Sequence, residues 1–165
     1  MELKYKNNEV HYIGNQDIIN LLSNNLYSNK LQNSIILYGD RGIGKSTLVY
    51  FFAKNILEKN IKNKSDNEYL RRSLVHPNFY VVAPLYDDTN KTYKNEIIVD
   101  QIRDLYRYVN LTSFDNLPRI ILIDSADCLN INASNALLKI IEEPKKNIYF
   151  FLISHHLNLL LATVR

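Results

Sequence analysis

The chain has 165 residues, of which 46% are hydrophobic and 22% charged, and it carries a formal net charge of +3. This length and composition suit one soluble globular domain and argue against disorder. The charge is too small to indicate nucleic-acid binding without a clustered basic patch. Cys128 is the single cysteine, which excludes an intrachain disulfide and a multi-thiolate zinc site and favours a reduced, cytoplasmic setting.

The two ends of the sequence differ in character. The N-terminus is polar, and no apolar stretch approaches the length that spans a membrane, so we expect neither export nor insertion. Residues 157–164 are mostly apolar, and the sequence stops at Arg165 without a polar tail or a capping signal. We therefore expect the sequence to be cut short.

The first predicted elements lead into a glycine-rich loop. Apolar residues at helical intervals predict a helix from about Asp17 to Tyr27, with Asn15 placed to cap it. The apolar run Ile35–Tyr38 predicts a strand. Residues 39–46 then fit the phosphate-loop pattern G-x-x-x-x-G-K-[ST], and a helix from Lys45 to about Glu58 follows.

This strand, loop and helix order is the context in which a phosphate loop binds nucleotides. Glycines let backbone N–H groups turn towards phosphate oxygens, and the helix N-terminus adds partial positive charge. We expect Lys45 to reach the β- and γ-phosphates and the Ser46 hydroxyl to ligate Mg²⁺. The alternative is a glycine turn that binds nothing. The predicted nucleotide-binding residues are Gly39, Asp40, Arg41, Gly42, Ile43, Gly44, Lys45, Ser46 and Thr47.

A polar, basic connector, Lys59–Asn67, follows the loop helix. Positive charge in and around it could contact nucleic acid or an acidic partner. We favour a solvated surface, because no aromatic residues are interleaved for base stacking. The basic residues are Lys54, Lys59, Lys62, Lys64, Arg71 and Arg72.

The middle of the chain predicts a strand, a turn and a helix. The aromatic and β-branched run Asn78–Ala83 is closed by Pro84, and Asp87–Asn90 forms a turn. The run Ile97–Val99 leads into a helix whose arginines, Arg103 and Arg107, lie close enough to aspartates to form an ion-paired surface. The partner aspartates are Asp100 and Asp104, and the shared apolar face is Ile102, Leu105, Tyr106 and Val109.

The last predicted elements bring a second polar site to the sheet. The apolar run Ile120–Ile123 predicts a buried parallel strand that ends in Asp124, a carboxylate suited to hold Mg²⁺ through water opposite the phosphate loop. A helix capped by Asn132 is expected to run to about Glu142. The strand Tyr149–Ile153 then ends in Ser154, a possible sensor of the γ-phosphate or a turn residue.

The alternation of strands and helices predicts an α/β fold, with a mainly parallel sheet flanked by helices. Several segments together resemble the N-terminal ATPase-type module of bacterial clamp-loader subunits, in the AAA+ superfamily of P-loop NTPases. The most specific is Asn-Ala-Leu-Leu-Lys at 135–139 followed by Glu-Glu-Pro at 142–144. The resemblance implies a three-layer α/β/α domain over residues 1–165, without the lid and collar domains.

Two subunit types of DNA polymerase III share this module, the gamma/tau motor and the delta-prime stator. Residues 76–79, 99–103 and 124–127 look like the delta-prime type. The motor typically carries Asp-Glu where this chain has Asp124-Ser125. Because serine is a poor group for orienting the attacking water, the resemblance implies that ATP or ADP binds with Mg²⁺ but is hydrolysed weakly or not at all.

The resemblance also implies partners. These are the gamma/tau and delta subunits, with the sliding clamp and primer-template DNA engaged through the assembly and no membrane contact. Tyr12 and Ile13 are candidate adenine contacts. The four-cysteine zinc module of relatives is predicted to be absent, since 59–75 contain no cysteine.

Two other functions stay open at this stage. One is an active gamma/tau-like ATPase in which Asp127 or a nearby residue serves as the base. The other is a small-molecule kinase on the same loop, although no acceptor pocket or arginine-bearing lid is evident.

Overall fold

The computed structural model describes residues 14–58, 76–111 and 117–155. The described helices are α1 (Gln16–Tyr27), α2 (Lys45–Glu58), α3 (Val99–Asn110) and α4 (Ile131–Glu142). The described strands are β1 (Ser34–Tyr38), β2 (Phe79–Val82), β3 (Tyr86–Asp87), β4 (Thr92–Tyr93), β5 (Arg119–Ile123) and β6 (Ile148–Ser154). A short 3₁₀ helix, Ala126–Cys128, follows β5.

Four parallel strands form the main sheet in the order β1-β6-β5-β2, and β3 and β4 form a separate antiparallel hairpin. Every residue of β5 and β6 is buried, as expected for parallel strands covered on both faces. In β1, at an edge of this sheet, exposed and half-buried residues alternate. The register sets Tyr38 of β1 opposite Ser154 of β6, so both strands end at the same edge of the sheet.

Helices cover both faces of this sheet. Ile120 and Leu122 of β5 pack in a core with α1 and α2, whereas Ile121 and Ile123 pack in a core with α3 and α4. The two cores therefore form because successive side chains of a strand point to opposite faces. The predicted three-layer α/β/α fold with a mainly parallel sheet is confirmed. Helix residues of the two cores include Ile19, Leu22, Leu48, Phe52 and Ile56 on one face and Ile102, Leu105, Ala133, Leu137 and Ile140 on the other.

Two local predictions were wrong in detail. Helix α4 is capped by Asn130, whose side chain accepts a hydrogen bond of 2.9 Å from the Ala133 N–H, and not by Asn132. Asn15 is the N-cap residue of α1, as predicted, although its backbone is left-handed and its side chain makes no cap hydrogen bond. Tyr106 is 58% exposed and is not part of the apolar face of α3. The β3–β4 hairpin and the 3₁₀ helix were not predicted.

Some predictions lie outside the described residues. They are the adenine contacts Tyr12 and Ile13, the predicted absence of a zinc module in 59–75, the basic residues other than Lys54, and the apolar end at 157–164. Lys54 lies in α2. Across 14–58, 76–111 and 117–155, none of the helices combines the length and apolarity needed to cross a bilayer.

Candidate functional site

The phosphate loop connects the end of β1 to the start of α2 at Lys45. Its glycines have backbone angles that other residues adopt at a cost, with φ of +84° at Gly42 and +146° at Gly39. A Cβ built on Gly39 would lie 2.8 Å from Cδ1 of Ile43, on the same loop. The loop conformation therefore depends on glycine at these positions.

Lys45 folds back over this loop. Its Nζ donates hydrogen bonds of 2.8 Å to the Gly39 carbonyl and 2.7 Å to the Asp40 carbonyl. The ammonium group is thus held above the loop at its first two residues, close to the N-terminus of α2. This position combines a full positive charge with the partial charge of the helix end.

Ser46 and Asp124 meet across the sheet although 78 positions separate them. The Ser46 hydroxyl donates a 3.0 Å hydrogen bond to Oδ1 of Asp124. The Asp124 N–H donates in turn to the Val82 carbonyl of β2 at 2.8 Å, which anchors the residue just beyond β5. One hydroxyl and one carboxylate oxygen side by side form the type of hard oxygen donor set that Mg²⁺ prefers.

Ser154 lies at the same edge of the sheet. It is the last residue of β6, it is fully buried, and it pairs in register with Tyr38, the residue before the loop. Because β6 lies between β1 and β5, Ser154 is positioned between the strands that lead to Gly39 and Asp124. The structure therefore brings the loop, the carboxylate and the candidate sensor to adjacent strand ends.

Ser125 turns the chain away from this edge. Its backbone is left-handed, with φ 68° and ψ 60°, and its carbonyl accepts a 2.8 Å hydrogen bond from the Cys128 N–H. This geometry starts the 3₁₀ helix directly after Asp124. Ser125, directly after the Asp124 carboxylate, thus has a short side chain on a sharply turning backbone.

Asp127, the alternative catalytic base, contacts His155. Its Oδ1 accepts a 3.3 Å hydrogen bond from the backbone N–H of His155 and lies 3.4 Å from Nδ1 of the same histidine. The side chains are mostly buried, with exposed fractions of 4% for Asp127 and 13% for His155. Sequence reasoning missed His155, because only the adjacency of β5 and β6 brings it to Asp127.

The Cys128 thiol, beside the Asp127 carboxylate, loses its proton less readily than a free thiol. Burial raises the pKa of the Cys128 thiol, and the negative charge of Asp127 adds to this effect, while the Arg41 guanidinium opposes it. The thiol is therefore a neutral, weakly reactive group. Arg41 of the phosphate loop is near enough for its charge to affect the pKa of this thiol.

The arginines of α3 form the ion pairs that the sequence predicted. Arg103 contacts Asp100 at 2.7 Å and Arg107 contacts Asp104 at 2.6 Å, and all four side chains are mostly exposed. Exposed pairs of this kind contribute only about 0.2–1 kcal/mol each. The surface of α3 is therefore locally charge-balanced.

A glycine-rich loop between a strand and a helix, with a carboxylate at the end of another parallel strand of the same sheet, defines this chain as a P-loop NTPase-type domain. The fold is shared with a DNA polymerase III gamma subunit-related protein from Thermotoga maritima, with a TM-score of 0.61 and 16% identity over 90% of this chain and 42% of that one.

The chain belongs to the family described as DNA polymerase III, delta subunit, whose model matches residues 14–165. It is 33% identical to the DNA polymerase III subunit delta' of Pseudomonas aeruginosa over 138 residues, which are 81% of this chain and 40% of the relative. It is 26% identical to the subunit gamma of Buchnera aphidicola, over 85% of this chain and 38% of the relative. The chain spans about two fifths of the length of these relatives.

Proposed function

We propose that the chain is the nucleotide-binding domain of a delta-prime-like clamp-loader subunit, which binds ATP or ADP with Mg²⁺ and hydrolyses ATP weakly or not at all. The observation that carries the proposal is the hydrogen bond between Ser46 and Asp124, because it joins the two oxygen ligands expected around Mg²⁺. The family of the chain and its similarity to delta' subunits support the subunit type.

The loop residues supply the phosphate-binding chemistry. Backbone N–H groups of the loop and the start of α2 can donate to phosphate oxygens, and Lys45 can exchange its two carbonyl contacts for phosphate contacts. Mg²⁺ would be held by Ser46, and by Asp124 through water, and would neutralise phosphate charge. Each of these residues is already placed at the carboxyl edge of the sheet.

The proposal of weak hydrolysis rests on Ser125 and Asp127, which follow Asp124 in the chain. In-line attack on the γ-phosphate needs a group that orients or deprotonates water. Ser125 has no carboxylate, and its left-handed backbone turns the chain into the 3₁₀ helix. Asp127 contacts the backbone and ring of His155, so the gamma/tau-like alternative with Asp127 as base is disfavoured.

The partners proposed are the gamma/tau and delta subunits of the same replication system, with the sliding clamp and primer-template DNA reached through the assembly. The similarity to both delta' and gamma subunits supports this, because subunits of one module type can pack together as a ring. The test is co-purification of the full-length protein with the gamma/tau subunit. Failure of the two to associate would refute the clamp-loader assignment.

Calorimetric titration with ATP and ADP in the presence of Mg²⁺ tests the site itself. Binding is expected for the unmodified chain and for Lys30→Ala, which removes an exposed lysine after α1. Lys45→Ala is expected to lose most of the binding, because the loop then lacks its full positive charge. Equal heats for the unmodified chain and Lys45→Ala would mean that the loop does not bind nucleotide.

Phosphate release in the assembled complex with DNA separates the stator from the motor. We expect no contribution of this subunit to turnover, so the rate should be the same with the unmodified subunit and with its Lys45→Ala variant. A loss of turnover that depends on Lys45 of this chain would instead support the motor.

A further inference from the structure

The turn after β5 and the end of β6 are joined by one carboxylate. Oδ1 of Asp127 contacts both the backbone N–H and the ring Nδ1 of His155, the residue directly after β6. The side chains of Asp127 and His155 are mostly buried, and Ser154 beside them is fully buried. Neither Asp127 nor His155 has a role in the nucleotide site described above.

The backbone contact acts on Ser154 for a geometric reason. The N–H of His155 and the C=O of Ser154 belong to the same planar peptide group. A hydrogen bond that fixes the orientation of this N–H therefore also restricts the backbone of Ser154. Asp127 consequently sets how the last residue of β6 is presented at the edge that holds Gly39 and Asp124.

Asp127 can hold this position because its own element is anchored. The Cys128 N–H bonds to the Ser125 carbonyl, and the Cys128 carbonyl accepts a 2.8 Å hydrogen bond from the Ile97 N–H. The Asn130 N–H, at the start of α4, donates back to the Ile97 carbonyl at 3.1 Å. The C-terminal end of the 3₁₀ helix is thus tied to Ile97, and Asp124, just before the turn, is tied to the Val82 carbonyl, so the Asp127 carboxylate is presented from an anchored segment.

We propose that Asp127 is a positioning residue that, through the backbone of His155, orients Ser154 to distinguish a nucleoside triphosphate from a diphosphate. The inference rests on the proposed nucleotide binding and on Ser154 as the residue that meets the γ-phosphate. Asp127 itself touches neither ligand nor metal in this arrangement. Its effect is on selectivity and is transmitted by one hydrogen bond.

The experiment measures the ratio of ATP to ADP affinity by calorimetry in Mg²⁺. Asp127→Ala is expected to lower this ratio about fivefold, the effect of losing one hydrogen bond. Asp127→Asn keeps an oxygen acceptor and should retain most of the ratio, and His155→Ala keeps the backbone N–H and should do the same. The matched control is Asp87→Ala, which removes a carboxylate that accepts hydrogen bonds from Thr89 and Asn90 in its own turn.

A double-mutant cycle with Ser154→Ala distinguishes positioning from a general loss of structure. If Asp127 acts through Ser154, the double variant should lose no more selectivity than Ser154→Ala alone. Additive losses, or an unchanged ratio in Asp127→Ala, would overturn the inference while leaving nucleotide binding intact. Absence of binding in the unmodified chain would overturn the proposed function as well.

The unmodified chain provides a test that needs no variant, should Asp127→Ala fail to fold. The NMR amide resonance of His155 is expected to shift more on addition of Mg²⁺ and a non-hydrolysable ATP analogue than on addition of Mg²⁺ and ADP, because Ser154 shares its peptide group. Equal shifts with the two nucleotides would contradict the proposed link.

Discussion

Substitution of Asp124 separates the structural role of this carboxylate from its proposed metal-binding role. In the structure, Oδ1 of Asp124 accepts a hydrogen bond of 3.0 Å from the partly buried Ser46 hydroxyl. A hydrogen bond to a charged group contributes about 1.5–3 kcal/mol, and partial burial favours the lower end. We therefore expect Asp124→Ala to lower the free energy of unfolding by about 1.5 kcal/mol.

The assay is urea and thermal unfolding of the ligand-free chain. For a chain of about this size, 1.5 kcal/mol corresponds to a decrease in Tm of about 3–6 °C. Asp124→Asn keeps an oxygen that can accept from Ser46, so it should recover about half of the lost stability. The same two variants are then titrated with ADP with and without Mg²⁺. Both should lose the increase in affinity that Mg²⁺ provides, because neither has a carboxylate at this position.

Two results would refute this reasoning. The first is a free energy of unfolding for Asp124→Ala within about 0.5 kcal/mol of that of the unmodified chain, which is the range of ordinary surface substitutions. The hydrogen bond to Ser46 would then not stabilise the site. If Asp124→Asn retains the full Mg²⁺ dependence of ADP binding, the carboxylate is not part of the metal site. Ser46→Ala offers a check, since it should reproduce the stability loss of Asp124→Ala.

Three further predictions concern the loop, a helix cap and the cysteine. Gly42→Ala should lower the free energy of unfolding by about 1 kcal/mol through its positive φ alone, since no atom lies within 4 Å of the added Cβ. Gly42→Asn should have a milder effect. Equal unfolding midpoints for Gly42→Ala and the unmodified chain would contradict this. Because Asn130 caps α4, Asn130→Ala should lower the free energy of unfolding in urea by about 1 kcal/mol, whereas Asn132→Ala should leave it almost unchanged. A larger loss for Asn132→Ala than for Asn130→Ala would identify Asn132 as the cap. Burial and Asp127 raise the pKa of the Cys128 thiol, so its reaction with a thiol reagent should quicken at a higher pH than for an exposed thiol. Asp127→Asn should move this rise in rate to lower pH, and an unchanged pH profile would exclude the influence of the carboxylate.

Much of the fold could be predicted because its signals are local. The four apolar or β-rich runs became the strands of the main sheet, and the phosphate-loop pattern places the start of α2 at Lys45. The error at Tyr106 was also local. Tyr106 follows the buried Leu105 by about 100° around the helix, so the two residues cannot both lie at the centre of one apolar face.

The cap of α4 and the contacts of Asp127 needed the structure, for different reasons. Asn130 and Asn132 are equally good caps by residue type, and only the backbone angles decide which one begins the helix. Asp127 and His155 are 28 positions apart, and the order of β5 and β6 in the sheet brings them together. Ser46 and Asp124 are farther apart in sequence, but the phosphate-loop pattern carries the expectation of a carboxylate on a neighbouring strand.

The left-handed backbone of Ser125 limits what a substitution at this position can achieve. Serine already carries the cost of about 1–2 kcal/mol that a left-handed backbone imposes on a residue with a Cβ, so replacing it by glutamate would add little strain. The backbone would still lead into the 3₁₀ helix, so the new carboxylate would start from a turn and not from an extended strand end. For a carboxylate at this position to extend along the direction of β5, the turn would have to be rebuilt along with the residue.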